Sequence, residues 1–246
     1  MLLNTIVVIM AGGLGKRMNS DLPKVLHKIA DKPMLVHVIS QAQMIKPLKI
    51  MVIVGKYREK IMTTVKEYID DTNIVYIDQP TPLGTGHAIQ CCSEELLKYP
   101  NTNTVILSGD VPLLKASTIY EMLNDFDKAK IMTAEFDNPA GYGRIIEENG
   151  HFSKIIEDKD CNEREKSVKK VNCGIYAFNT EVLCKYLPFL TNNNSQKEYY
   201  LTDIVQIIKD QEQINIDMYN IPLDKQIEII GVNTSEQLSE LERRII

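Results

Sequence analysis

The sequence predicts an α/β fold: a Rossmann-like, mixed but mostly parallel sheet with helices on both faces and a small β-rich subdomain. Through the first 130 residues, short apolar runs rich in β-branched residues alternate with segments of helical periodicity, which indicates a parallel sheet. The first run, from Ile6 to Met10, is continuously apolar, as in strands that are buried on both faces. Beyond residue 130 the pattern changes to short strand-like pieces with few helices between them.

In the first half of the chain, predicted strands alternate with predicted helices. The first helix begins near Pro33, which suits a first helical turn, and places Leu35, Val38 and Ile39 on one face. Pro112 prevents the last of these strands from continuing, because it lacks the N–H that a ladder needs. The predicted strands are 6–10, 49–54, 74–77 and 104–107, and the predicted helices run from about 33, over 58–69, over 86–98 and over 117–128.

The second half is predicted to add a β-rich segment that lies over the C-terminal ends of the first sheet's strands. The charged run 158–170 lacks core spacing and is predicted to be a solvated loop. The last helix starts after Thr234, which fits a capping box with Gln237, and turns Leu241 and Ile245 inward. Strands are predicted at 131–136, 143–147, 152–157, 173–178, 214–218 and 226–230, and helices at 180–189 and 200–210.

Composition limits the class of protein. The 246 residues carry 28 lysines and arginines against 33 aspartates and glutamates, a formal net charge of -5, which disfavours a general nucleic-acid binder. The five cysteines are odd in number and form no CxxC pair, so a reducing cytoplasmic setting is expected. The apolar start runs directly into a glycine-rich turn without a basic leader, and no apolar run is long enough to cross a bilayer. We therefore expect no nucleic-acid or membrane partner.

The strongest local signal is the glycine-rich turn AGGLGKRM at 11–18, followed by DLPK at 21–24. Glycines let backbone N–H groups approach an anion, Arg17 can grip phosphate oxygens bidentately, and Lys24 adds a point charge. The turn fits neither the Walker loop, GxxxxGK[ST], nor the dinucleotide fingerprint, GxGxxG, so an NAD-dependent oxidoreductase is disfavoured. Taken alone, such a turn is an ordinary tight connection in about half of cases.

The whole set of motifs is more specific than that turn. The chain resembles the sugar-nucleotide nucleotidyltransferases, and among them the uridylyltransferase half of bacterial bifunctional GlmU enzymes. The resemblance covers nearly the whole chain and implies transfer of a uridylyl group from UTP to N-acetylglucosamine 1-phosphate with Mg²⁺ as cofactor and release of pyrophosphate. The matching motifs are AGGxGxRM, SDLPKVLH at 20–27, LGTGHA at 83–88, GDVPL at 109–113, GYGRI at 141–145, KIIEDKD at 154–160, VNCGIYAFN at 171–179, LTNNNSQKEYYLTDI at 190–204 and GVNTSEQLSELER at 231–243.

The resemblance also implies an organisation and a set of site residues. It implies one nucleotidyltransferase domain over 1–246, with a nucleotide-binding half at 1–130, a sugar-binding half at 131–233 and a C-terminal helix at 234–246. The implied catalytic cations are Arg17 and Lys24, and the implied metal ligands are Asp110 and Asn233. The nucleotide would contact Ala11, Gly12, Gly13, Gly15, Gln79, Gly84 and Thr85, and the sugar would contact Gly143, Glu157, Asn172, Tyr199 and Thr202.

Chemistry alone leaves plainer interpretations open for several of these residues. Asp110 suits a turn and Asn233 suits a helix cap, although a carboxylate and an amide oxygen are also reasonable Mg²⁺ ligands. Thr85 could cap a helix, Tyr199 could pack in the core, and Glu157 could be an exposed strand residue. Without the family, the plain interpretation is favoured for Asn233 and Glu157.

The chain also departs from the family pattern. Gly13 stands where this group more often has alanine, Ser108 where it carries an aromatic residue, and Cys173 where it carries threonine. The first difference leaves the nucleotide open and the other two leave the sugar open, so the alternative substrates are glucose 1-phosphate with UTP or dTTP. A catalytically silent relative that binds nucleotide sugars is a further alternative, which the retained Arg17, Lys24, Asp110 and Asn233 argue against. No hexapeptide repeat follows the domain, so acetyl transfer is not expected. A homo-oligomer is left open.

Overall fold

A computed structural model of the protein describes residues 4–13, 15–18 and 20–245. Its strands are β1 (Thr5–Met10), β2 (Lys28–Ile29), β3 (Lys32–Pro33), β4 (Lys49–Val54), β5 (Ile74–Asp78), β6 (Asn103–Ser108), β7 (Ala129–Glu135), β8 (Arg144–Glu148), β9 (His151–Ile156), β10 (Lys170–Asn179) and β11 (Asp217–Asn220). Its α-helices are α1 (Met34–Met44), α2 (Arg58–Tyr68), α3 (Thr85–Gln90), α4 (Ser93–Leu96), α5 (Ala116–Leu123), α6 (Glu163–Lys166), α7 (Thr180–Tyr186), α8 (Thr202–Glu212) and α9 (Ser235–Arg243).

The main sheet runs in the order β11-β7-β10-β6-β1-β4-β5, and β8 pairs with both β10 and β9 at its side. The four strands from β6 to β5 are parallel, as the β-branched runs predict. Strand β10 is antiparallel to both β6 and β7. The predicted mixed, mostly parallel sheet is therefore confirmed, with the antiparallel pairs concentrated in the second half of the chain.

Apolar side chains from both faces of the sheet build two core layers. On one face α1, α2 and α5 pack against alternate residues of the parallel strands, including Val7 and Ile9 of β1. On the other face α3, α4, α7 and α8 pack against Ile6 and Val8. Successive strand residues point to opposite faces, so a continuously apolar strand is the expected sequence for this double coverage.

The second half differs from the prediction in where its strands lie. Strands β7, β10 and β11 extend the main sheet instead of forming a separate layer over its strand ends, and β8 and β9 alone branch from it. The predicted strand 226–230 is wrong, because Leu223–Ile229 is a 3₁₀ helix. Its Glu228 side chain is buried and accepts hydrogen bonds from the Lys115 N–H and the Thr118 hydroxyl.

Several boundaries also differ. The predicted helix 86–98 is split into α3 and α4, and the predicted loop 158–170 contains α6, which Asn162 starts with a capping box. Helix α5 ends at Leu123, well before the predicted 128, and Asp125 takes a positive φ there. The capping box at Thr234 is confirmed, but Ile245 lies beyond the end of α9 and is 38% exposed, so its predicted inward position is wrong.

Candidate active site

The candidate site lies where the chain reverses its direction of travel across the sheet. From β1 the chain proceeds outward to β4 and β5, and then returns to place β6 on the opposite side of β1. Met10 and Ser108, which end β1 and β6, are direct partners in the parallel ladder. Ligands bind at such switch points in open α/β sheets, beyond the carboxyl ends of the strands.

Two adjoining cavities open at this edge of the sheet. The first has a volume of about 280 Å³ and lies over the glycine turn. The second has a volume of about 250 Å³ and lies between β6, β8 and β10. Met10, Thr85, Ser108 and Asp110 line both of them, so the two cavities form one cleft with a shared wall.

Four polar side chains from distant segments meet at this wall. The Lys24 ammonium donates to Asp110 Oδ2 in an ion pair and to Asn233 Oδ1 at 3.0 Å. The exposed Arg17 guanidinium donates to the same Asn233 oxygen at 2.8 Å. Lys24 and Asp110 are each about 15% exposed at the side chain, which strengthens their attraction relative to a surface pair. The structure therefore brings together the predicted cations and the predicted metal ligands.

Local backbone structure explains how these side chains reach one another. Lys24 opens a short 3₁₀ helix, Lys24–Leu26, after Pro23, and its Cβ lies against Gly15, which has a φ of +60°. A Cβ at position 15 would lie 2.7 Å from that of Lys24, so this approach needs glycine. On the far side, the Val232 N–H donates to the Asp110 carbonyl at 2.9 Å and so draws the segment that carries Asn233 over β6.

A second cluster forms the outer wall of the first cavity. Gln79 is 7% exposed and follows β5, and its Nε2 donates to the Gly84 carbonyl at 3.0 Å and lies 3.2 Å from Nδ1 of His87. Gly84 precedes α3 with a φ of +117°, and a Cβ there would meet the Tyr199 carbonyl at 2.4 Å. The Thr85 hydroxyl accepts from the Leu201 N–H at 3.0 Å instead of capping its own helix.

The second cavity is lined by the predicted sugar-side residues Gly143, Glu157, Asn172 and Thr202. The Thr202 hydroxyl donates to Glu157 Oε1 at 2.9 Å, and burial of the Glu157 carboxyl raises its pKa above the ordinary value. The Asn172 amide is 8% exposed and donates to the Tyr176 hydroxyl at 2.7 Å. The plain interpretation of Glu157 as an exposed strand residue is therefore wrong.

The remaining predicted residues lie close to the cleft without lining either of the two cavities described above. Tyr199 places its ring 6.4 Å from that of His87 and accepts at its carbonyl from the Gly86 N–H. Gly15 lies behind Lys24, and Arg17 reaches the site through Asn233. By contrast, Ala11, Gly12, Gly13, Gln79, Gly84 and Thr85 all line the first cavity.

Several residues that line the cleft have no role in the sequence analysis, and four of them carry polar side chains that face this region. The Ser108 hydroxyl donates to Asp110 Oδ1 at 2.6 Å, and Glu198 lines the first cavity. Tyr142 and Tyr176 line the second cavity, and burial raises the pKa of the Tyr142 hydroxyl. The GYG and VNCGIY motifs contain the two tyrosines, but strand-like alternation made them indistinguishable from core residues.

The donor set at the shared wall fits a divalent cation with few protein ligands. The Lys24 ammonium can only donate hydrogen bonds, and it donates to one oxygen of Asp110 and one oxygen of Asn233. These two oxygens therefore converge on one cationic group. Within residues 4–13, 15–18 and 20–245, no three His, Cys, Asp or Glu side chains are grouped to hold a metal. Mg²⁺ suits such a sparse set, because substrate phosphates and water complete its octahedron.

Comparison with known proteins finds relatives that are similar over nearly the whole chain. The family model "Nucleotidyl transferase" matches residues 6–221. The chain is 45% identical over 241 residues to an Acanthamoeba polyphaga mimivirus protein named "Probable UDP-N-acetylglucosamine pyrophosphorylase", covering 96% of the chain and 94% of that protein. It is 44% identical over 239 residues to the "Bifunctional protein GlmU" of Clostridium beijerinckii, where it covers 96% of the chain and 50% of that protein. The chain thus spans about half the length of this bifunctional relative.

A solved structure supports the fold. The crystal structure of a UDP-glucose pyrophosphorylase complexed with UDP-glucose superposes with a TM-score of 0.73, covering 99% of this chain and 98% of that one. The sequence identity is only 16%, so this likeness concerns architecture. In the described part of the chain, no helix combines the length and apolar character needed to cross a membrane.

Proposed function

The chain belongs to the nucleotidyl transferase family, and on that premise we propose that it joins UTP to N-acetylglucosamine 1-phosphate. The products are UDP-N-acetylglucosamine and pyrophosphate. A phosphate oxygen of the sugar phosphate attacks the α-phosphorus of UTP, a new P–O bond forms, and the bond to the leaving pyrophosphate breaks. The attacking oxygen is already anionic, so the reaction needs neither a general base nor a covalent nucleophile.

The convergence of Lys24, Asp110 and Asn233 on the wall between two cavities carries this proposal. Two anionic substrates must approach each other, so alignment and neutralisation of charge are the main catalytic tasks. A nucleotide in the first cavity and a sugar phosphate in the second would both reach the wall between the cavities. Identity of 45% to a protein named for this reaction supports the choice of substrates.

The proposed site residues have separate parts in this mechanism. The N–H groups of the glycine turn and the Arg17 guanidinium hold the leaving pyrophosphate, and Lys24 binds the α-phosphate and the attacking phosphate. The Gln79 amide and the backbone at Gly84 read the pyrimidine edge. Glu157 and Asn172 bond the sugar hydroxyls and the N-acetyl group. Thr202 keeps Glu157 in place.

Asp110 and Asn233 would hold Mg²⁺, which when bound neutralises charge on the phosphate oxygens. Their own contribution is positional. The Asp110 carboxylate is held by the Ser108 hydroxyl on Oδ1, and the Asn233 backbone N–H donates to the Gln237 side chain at 2.7 Å. Both oxygens are therefore oriented before substrate arrives.

Pyrophosphate release in a grid of nucleotides and sugar phosphates tests the proposal. The grid combines UTP, dTTP and CTP with N-acetylglucosamine 1-phosphate and glucose 1-phosphate, and each reaction is repeated without Mg²⁺. We expect the highest kcat/KM for UTP with N-acetylglucosamine 1-phosphate. Highest activity with glucose 1-phosphate would assign a different sugar, and highest activity with dTTP would assign a thymidylyltransferase. Binding of UDP-N-acetylglucosamine without any pyrophosphate release would indicate a silent relative.

A further inference from the structure

The orientation of the Gln79 amide is fixed by its neighbours. Its nitrogen lies within hydrogen-bond distance of two groups, the Gly84 carbonyl at 3.0 Å and His87 Nδ1 at 3.2 Å. A backbone carbonyl only accepts, so the group that faces it must be the amide nitrogen and not the oxygen. Both amide hydrogens are consequently used inside the protein. The amide oxygen is left on the opposite side, 3.2 Å from where a Cβ of Gly12 would stand, and Gln79 and Gly12 both line the first cavity.

His87 completes this arrangement from the first turn of α3, which follows the Gly84 loop. Since an amide nitrogen only donates, Nδ1 must accept, and the ring proton therefore sits on Nε2. Nε2 faces the sulfur of Cys91 at 4.0 Å, a weak acceptor one helical turn further on. The ring is further packed against that of Tyr199, with centroids 6.4 Å apart. His87 is absent from the lining of the first cavity, so it acts on that cavity through Gln79.

We propose that His87 is a positioning residue that selects the pyrimidine by holding the Gln79 carbonyl oxygen, and not its NH₂ group, toward the base. This inference rests on the proposed function, because it assumes that a nucleotide occupies the first cavity. An acceptor in this position pairs with a base that carries an N3–H donor, as uracil and thymine do. Cytosine presents an acceptor at N3, so two lone pairs would face each other and the buried Gln79 oxygen would lose its partner.

The Gly84 carbonyl alone does not hold the amide as firmly. That carbonyl also accepts from the Ala88 N–H at 3.1 Å, so the Gln79 bond to it is shared. The His87 bond supplies the second point that a planar amide needs to be fixed against rotation. Losing one neutral hydrogen bond of this kind changes a binding ratio by roughly two- to tenfold.

The test measures binding of UMP and CMP by titration calorimetry in three variants and the wild type. His87→Leu removes the acceptor and keeps a side chain of similar bulk. His87→Asn restores an acceptor, because its Oδ1 is attached to Cγ just as Nδ1 is. Gln90→Leu is the matched control: it removes a side-chain hydrogen bond of α3, from Nε2 to the Leu187 carbonyl at 2.8 Å, at a position outside the cavity lining.

We expect the wild type to bind UMP more tightly than CMP, and His87→Leu to lower that ratio by roughly two- to tenfold. The ratio in His87→Asn and Gln90→Leu should stay within about twofold of the wild type. The proposal is overturned by an unchanged ratio in His87→Leu, by an equal loss in His87→Asn or Gln90→Leu, or by a wild type that does not distinguish the nucleotides. Because binding needs no turnover, an enzyme that binds UMP selectively yet releases no pyrophosphate would refute the proposed function and leave the role of His87 standing.

Discussion

At the residue scale, Lys24 has the most connected position in the cleft. It bonds both proposed metal ligands and lines the cavity that we assign to the nucleotide. We predict that Lys24→Met lowers kcat by about 10²-fold or more, because a group that stabilises developing charge acts mainly in the transition state. Steady-state pyrophosphate release measures this. Lys98→Met removes an ion-paired lysine on the surface and should leave kcat unchanged; turnover in Lys24→Met equal to that control would reject the role.

Asp203 gives a prediction about pH and stability. Burial, with a smaller contribution from the charge of Asp160, raises the Asp203 pKa from 3.8 to about 6. The folded protein therefore binds more protons than the unfolded chain between these values, so this group's contribution to stability is complete below pH 3.8 and is lost as the pH rises through 6. Thermal unfolding of wild type and Asp203→Asn from pH 4 to pH 7 should show the wild type losing stability relative to the variant. Parallel Tm curves over this range would contradict the prediction.

The site residues differ in how far their sequence context identifies them. Arg17, Lys24 and Asp110 stand in motifs whose residue types already suggest phosphate and metal chemistry. Ser108 and Tyr176 gave no such signal, since one ends an apolar strand and the other alternates within one. Their contribution depends on contacts with Asp110 and Asn172 that only the folded chain creates.

At the scale of elements, the glycine turn is predicted to tolerate a side chain at one glycine and not at another. Gly15→Ala places a Cβ 2.7 Å from the Lys24 Cβ at a positive φ, which costs about 1–2 kcal/mol for the backbone alone and shifts Lys24. Gly13→Ala is the matched control, because a Cβ there meets no atom of the described residues within 4 Å. The free energy of unfolding measured with urea and kcat should both fall in Gly15→Ala and stay unchanged in Gly13→Ala. Equal effects of the two substitutions would show that Lys24 does not depend on this approach.

The start of α9 is predicted to hold Asn233 in place. The Thr234 hydroxyl accepts from the Gln237 N–H at 3.2 Å, and Gln237 in turn accepts from the Asn233 N–H. Thr234→Ala should lower stability by about 1 kcal/mol and raise the Mg²⁺ concentration needed for half-maximal activity. Ser239→Ala, which removes an exposed hydroxyl from the same helix, should change neither. An unchanged Mg²⁺ requirement in Thr234→Ala would show that the helix cap does not hold Asn233 in position.

The elements that the sequence predicts well are those whose burial follows a simple period. Strand β1, the start of helix α1 and helix α2 agree with the structure to within a residue or two. Their apolar residues recur with the period of a strand that is buried on both faces or of a helix that is buried on one face. The 3₁₀ helix Leu223–Ile229 was missed because its isoleucines alternate like those of a strand. Its buried Glu228 accepts hydrogen bonds from residues more than a hundred positions away. The local sequence pattern does not indicate such long-range contacts.

At the scale of the whole molecule, the two halves of the chain meet at one wall. The β-rich half was expected to lie over the strand ends, yet most of it continues the main sheet through β10 and β7. This arrangement brings Glu157 and Asn172 to the second cavity, which adjoins the cavity over the glycine turn. The alternation of elements predicts the fold class, but the strand order, and hence this adjacency, depends on pairings between distant segments.

The two cavities are also connected through backbone. Tyr199 accepts from Gly86 and donates from its N–H to the Leu83 carbonyl at 2.8 Å, so the segment before α8 is tied to the loop that carries Gly84. Thr202, which holds Glu157, begins α8 only three residues later. The proposed nucleotide and sugar sites are therefore joined by a short continuous stretch of chain.

We propose that Asp110 and Asn233 hold the metal at the wall between the two cavities, beside Lys24. A crystal structure with UDP-N-acetylglucosamine and Mn²⁺, recorded at a wavelength where manganese scatters anomalously, tests it most directly. We predict an anomalous peak between the Asp110 carboxylate and the Asn233 amide oxygen, with the diphosphate contacting Lys24, uracil beside Gln79 and the sugar beside Glu157. A peak at any other position would show that Asp110 and Asn233 do not hold the metal, and a nucleotide bound away from the glycine turn would reject the proposed nucleotide site.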